Sequence, residues 1–92
     1  MACVPYDQNV GRRGVIRRAV QEFMRRSGEF LDQTERYAVM FDADGLGVHI
    51  GIRSIRARQV LQSLPDSVFR CFQPHAFWYG DDGVVWARFG YV

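Results

Sequence analysis

Hydrophobic positions along the chain switch between two spacings, and each switch marks an element. From Val10 to Ser27 they recur at helical spacing. At about 100° per residue, Val15, Ile16, Ala19, Val20, Phe23 and Met24 gather on one side, while Arg17, Arg18, Gln21, Glu22 and Arg25 take the other. This predicts an amphipathic first helix with an arginine-rich outer face. Gly28 is its expected C-terminal cap, and Arg25 and Arg26 suit the dipole of its last turn. Residues 1 to 9, with Pro5 and no periodicity, read as an irregular tail, and Glu29 to Gln33 as a connector or short extra turn.

The spacing then drops to two. Arg36 to Phe41 and Leu46 to Arg53 read as antiparallel strands joined by the turn Asp42-Ala43-Asp44-Gly45. In the second strand Val48, Ile50 and Ile52 share one face, and Gly47, His49 and Gly51 share the other, a flat strip open to close approach. Ser54 is the expected N-cap of a second helix, Ile55 to Leu64, with Ala57, Val60, Leu61 and Leu64 inward and Pro65 behind it. Ser67 to Gln73 reads as a strand, followed by a final hairpin of Ala76 to Tyr79 and Val84 to Tyr91 around Asp82-Gly83. The order helix, strand, strand, helix, strand, strand predicts an α+β two-layer sandwich: an antiparallel four-stranded sheet with both helices on one face. Each half ends in an aspartate-glycine hairpin, Asp44-Gly45 and Asp82-Gly83, which hints at an αββ repeat.

Ninety-two residues make one domain, 1–92, and 48% hydrophobic content argues against disorder. No apolar run reaches the roughly 18 residues of a membrane span, and the N-terminus lacks a signal-peptide core, so a soluble cytoplasmic protein is expected. Cys3 and Cys71 are too few for a disulfide scaffold, and free thiols are expected. The net charge is only +2 but alternates in blocks: +4 over residues 1–28, −4 over 29–45, +3 over 46–75 and −1 over 76–92. Such alternation favours an oriented contact over a uniformly basic surface. Every basic residue is arginine. GC-rich coding alone produces that bias, and the planar, multidonor head also suits carboxylate or phosphate recognition.

The string Tyr37 to Gly45 resembles the signature of the LAGLIDADG homing endonucleases, with Ala38 and Asp42-Ala43-Asp44-Gly45 matching five of nine positions. That resemblance implies an αββαββ core, a DNA-binding sheet and Asp44 as a metal-binding acid at a helix end. The family's helix-packing glycine is Val39 here, and the string reads as strand and turn. Cys71 and His75 offer one ligand pair, short of a zinc set, so no metal and no cofactor are expected. No nucleophile, base or acid stands in a catalytic context, so no catalytic residue is assigned and the chain is not expected to be an enzyme.

Two binding features remain. Arg12, Arg13, Arg17, Arg18 and Arg25 crowd the first helix, and eight aromatic residues fall in the last 24 positions. Alternation forces Phe77-Trp78-Tyr79 to put rings on both sheet faces, leaving aromatic surface to be exposed or covered. The expected contact residues are therefore those five arginines with Trp78, Tyr79 and Trp86. They suit a protein interface, including one on a nucleoprotein complex, and homodimerisation through the sheet satisfies the same pattern. The profile is similar to that of small inhibitors from phages and mobile elements, including anti-CRISPR proteins, and of immunity proteins. The expected function is thus a non-enzymatic protein that inhibits or modulates a larger macromolecular complex. The alternative is an RNA- or DNA-binding module with the same arginines on phosphates. An aromatic sheet face beside arginines resembles the RNA-recognition-motif domains, and Arg88-Phe89-Gly90-Tyr91-Val92 echoes their signature.

Overall fold

A computed structural model of the chain describes residues 9–90, with side chains described from residue 11. The elements are α1 (Asn9–Arg25), α2 (Ser27–Phe30), β1 (Arg36–Phe41), β2 (Gly47–Arg53), α3 (Ala57–Ser63), a 3-10 turn (Leu64–Asp66), β3 (Gln73–Tyr79) and β4 (Val85–Gly90). The strands form one antiparallel sheet in the order β1-β2-β4-β3, so the two hairpins meet along β2 and β4. The expected α+β order is the observed one.

Val48, Ile50 and Ile52 of β2 are fully buried, with Ala87 and Phe89 of β4 beside them in register. Against this face α1 inserts Ile16, Val20 and Phe23, three and four residues apart, and α3 inserts Ala57, Val60 and Leu61. The rings interlock: Phe69 stacks on Phe89 at 4.7 Å between centroids, and Phe23 meets Tyr37 edge-on at 5.1 Å.

Several local expectations change. Asn9, assigned to the tail, already lies in α1; residues 1–8 fall outside the described residues. Met24 is exposed instead of joining the apolar side. Gly28 sits inside α2, the short extra turn, and the chain leaves that turn at Leu31 with φ −128°. Ser54 does not cap α3, whose N-cap position is Arg56. Its hydroxyl instead accepts from the Arg56 amide at 2.9 Å and donates to Glu35.

Residues 67 to 72 are not a strand. The amides of Ser67, Val68 and Phe69 all converge on the Leu64 carbonyl, curling the chain. Val68, Phe69 and Phe72 then all point into the core, a spacing no strand can give. The strand expected from Ala76 instead begins three residues earlier, at Gln73, and tolerates Pro74 because β3 is an edge; a register shift between Pro74 and Phe77 interrupts its ladder with β4.

Cys71 is disulfide-bonded, which corrects the expected free thiol. A bridge is set by three-dimensional proximity, and the linear spacing carried no trace of it. The chain's other cysteine, Cys3, lies outside the described residues.

Candidate binding face of the sheet

Both helical layers cover the same side of the sheet, so alternate residues of all four strands form a second face that no described element covers. Strand register arranges them in rows. Arg36 stands opposite Arg53; Ala38, Gly51, Trp86 and Trp78 follow across the four strands; Met40, His49 and Arg88 make the third row, and Gly47 pairs with Gly90 in the next. Asp42 borders the last row from the β1–β2 turn.

Glycine shapes this face at two points. A Cβ on Gly51 would come within 2.8 Å of the Trp86 ring, so the indole lies directly on the bare backbone. A Cβ on Gly47 would strike Arg88 and Asp42 at about 2.5 Å, since that ion pair lies across it. The glycine strip expected to receive another element is thus filled by the chain's own side chains.

Trp78 and Trp86 are cross-strand partners with rings 6.4 Å apart and only 9° from parallel. Trp78 is 38% exposed, and Met40, opposite His49, is 55% exposed. His49 meets Trp78 edge-on at 5.2 Å. Its Nε2 lies 3.3 Å from Asp42 Oδ1, while Arg88 donates to Asp42 Oδ2 from Nη2 at 2.6 Å and from Nε at 2.9 Å. A two-point guanidinium clamp fixes the carboxylate, and the carboxylate in turn fixes the imidazole. The face therefore presents two near-parallel indoles, one imidazole edge and a locked ion pair.

The eight expected contact residues do not gather in one place. Trp78 and Trp86 stand together on the open face. Tyr79, one residue on, points to the opposite side, where Arg58 Nη1 donates to its hydroxyl at 3.3 Å. Arg12, Arg13, Arg17, Arg18 and Arg25 belong to α1, in the helical layer. Arg13 donates to the Asp44 carbonyl, and Arg12 is not without a partner either. Arg25 pairs with Glu22 at 2.6 Å, and Arg26 with Glu29 at 2.9 Å. The hydrogen bond from Arg25 holds the Glu22 carboxyl below its ordinary range, as Arg26 does for Glu29. Arg17 and Arg18 are exposed, with no ion pair among the described residues.

Sequence reading missed the Asp42, His49 and Arg88 network. The signal was present only in register: Met40 lies opposite His49, Asp42 is two residues on from Met40, and Arg88 pairs with His49 across β2 and β4. The LAGLIDADG-like string falls on β1 and its turn, with Asp44 accepting from the Leu46 amide at 2.9 Å, so Asp44 occupies no helix end. Phe89, which the RNA-recognition-motif likeness would put on the open face, is fully buried. His75 Nε2 bonds the Gly90 carbonyl at 3.1 Å, and no three His, Cys, Asp or Glu side chains cluster as metal ligands among the described residues.

The buried carboxylate has a different job. Glu35, 8% exposed, accepts from Arg56 Nη2 at 2.6 Å, from the Asp32 amide at 2.8 Å and from Ser54. These bonds, Arg56 first, hold its carboxyl down to about 2. Arg56 also reaches the Phe30 carbonyl, so this hub ties α2, the start of β1 and the approach to α3 together.

No helix among the described residues is long and apolar enough to cross a membrane. No family model, curated protein or solved structure matches the chain.

Proposed function

We propose that this protein is a binding module without reaction chemistry of its own. In this reading it attaches to a larger macromolecule through the open sheet face and thereby inhibits or modulates it. The observation that carries the reading is the Trp78 and Trp86 pair: two large rings held near-parallel on the uncovered face, one of them seated on Gly51. Rigid aromatic groups lose little conformational freedom on contact and supply most of the energy of many interfaces. The chain thus keeps on its surface residues that a solvent-facing sheet does not need.

A second reading puts the working surface on α1, and the exposed Arg17 and Arg18 support it. Substitution separates the two. Immobilised protein is used to capture partners from the native host's lysate, with and without nuclease. Trp78→Ala is expected to lose the captured partner while Arg17→Glu/Arg18→Glu keeps it. The reverse pattern overturns the sheet-face reading and moves the contact to the helix.

The disulfide at Cys71 bears on where the protein works. Such bonds persist in oxidising surroundings, which supports a setting outside the reducing cytoplasm expected from sequence.

A further inference from the structure

Two cations of the open face have no ion-pair partner among the described residues. Arg36, Arg53 and Arg88 stand on this face, with Asp42 at one end and Asp82 beside Trp86 at the β3–β4 turn. Arg88 is spent on Asp42. The unpaired cations are Arg36 and Arg53, which stand directly opposite each other on β1 and β2. Like charges in that position repel, and an anion placed between or above them relieves the repulsion. Arg53 is exposed and makes no hydrogen bond or ion pair among the described residues. Arg36 gives Nη1 to the carbonyls of Gln33 and Glu35, two neutral acceptors that leave its charge unanswered.

One row further along those strands come Ala38 and Gly51, and the row continues across the sheet through Trp86 of β4, whose ring lies on Gly51, to Trp78 of β3. Successive same-face residues on a strand lie about 7 Å apart. A flat ring platform and two unpaired cations are thus neighbours on one surface, at roughly the reach of a single nucleotide. An uncharged glycan would use the rings and leave the arginines unanswered. An acidic peptide would use the arginines and have no need of two near-parallel indoles. A polyanion of stackable rings uses both.

Resting on the open face as the working surface, we propose that its occupant is a single-stranded nucleic acid, with bases stacked on Trp78 and Trp86 and phosphates held by Arg53 and Arg36. A single strand is required because duplex bases hide the flat surfaces that the indoles would cover. Contact with the rings is sequence-tolerant, since every base offers such a surface. Any preference among bases falls to the hydrogen-bonding edges beside the rings, where His49 lies next to Trp78.

The chain's two tryptophans are the two on this face, so their own emission reports on it. Short oligouridylate and oligothymidylate strands are titrated into the intact protein at low and moderate salt, and labelled strands are followed by anisotropy. Saturable quenching by either strand is expected, weakening with salt at a log–log slope of about 0.7 per phosphate contact. Trp78→Ala is expected to weaken binding roughly tenfold, within the range for one stacked base. Arg53→Gln, at an exposed position that leaves the fold intact, is expected to remove about 0.7 from the salt slope. Arg18→Glu, in the helical layer, is expected to change neither quantity.

Absence of quenching at low salt overturns the proposal, as does binding that survives Trp78→Ala and Arg53→Gln but fails with Arg18→Glu. If strands do not bind while a nuclease-resistant partner is still captured through Trp78, the nucleic-acid occupant is overturned and the open-face reading stands. If Trp78→Ala captures as well as the native chain and strands do not bind, both fall.

Discussion

The helical layer and the open sheet face are both rich in arginine, yet their arginines are held by different means. On α1 and α2 the charges answer one another along the chain, Arg25 to Glu22 and Arg26 to Glu29, each three residues apart and open to solvent. Such pairs contribute little and tie down nothing distant. On the sheet, Arg88 is clamped to Asp42, 46 positions away in the chain, and the pair lies flat on Gly47. Residue counts alone made the helix the conspicuous feature. Geometry shows that order at a surface comes from what lies beneath and beside a side chain, and here that is bare glycine backbone and strand register.

Three substitutions test this contrast. The largest effect is expected from Cys71→Ser. Cys71 belongs to the segment packed beside Val15 and Ala19 of α1, on the helical side. Loss of its bridge should lower stability by about 2 to 4 kcal/mol in denaturant unfolding. Because both indoles lie on the far face, the emission of the folded state should not move. A shifted native spectrum would mean the two faces are coupled.

Gly51→Ala should do the opposite. Its Cβ meets Trp86 and Val84 at 2.8 Å, so the ring must lift or the strand must shift. A smaller loss, about 1 to 3 kcal/mol, is expected together with a red-shifted tryptophan emission. An unchanged spectrum would show that Trp86 does not rest on this glycine in solution.

The clearest dependence on acid is expected for Glu35→Gln. A carboxyl near 4.5 in the unfolded chain and about 2 in the folded one stabilises the fold fully above its unfolded value. That contribution fades as pH falls from about 4.5 towards 2. Thermal melts of the native chain should therefore drop across this window, and the Glu35→Gln substitution should flatten the drop. An equal acid response in both proteins would remove Glu35 as its source.

Much of the fold was legible because short-range rules carried it. Helical spacing exposed Ile16, Val20 and Phe23, alternation exposed Val48, Ile50 and Ile52, and the Asp-Gly turns are built as their chemistry demands. Gly45 and Gly83 take positive φ of 74° and 82°, each beside an aspartate whose side chain caps the turn. What stayed hidden depends on partners distant in sequence. The pairing of β2 with β4 assembles Asp42, His49 and Arg88, and nothing local announces it. The run Val68 to Phe72 is rich in residues that favour strands, and only the three amides gathered on Leu64 reveal the curl. The ion pairs of Glu22 and Glu29 were within reach of sequence, since spacing of three places such charges together on a helix. They lower the weight that the crowd of arginines deserved.

The edges of the sheet differ as its faces do. Pro74 supplies no amide hydrogen, and the slipped register before Phe77 bends the rim on that side, so β3 offers a poor template for another chain. The opposite rim, Arg36 to Phe41, runs six residues without interruption. If copies of this molecule ever grow into fibrils or swap segments, addition should begin at that rim, and a proline placed there would be the means of stopping it.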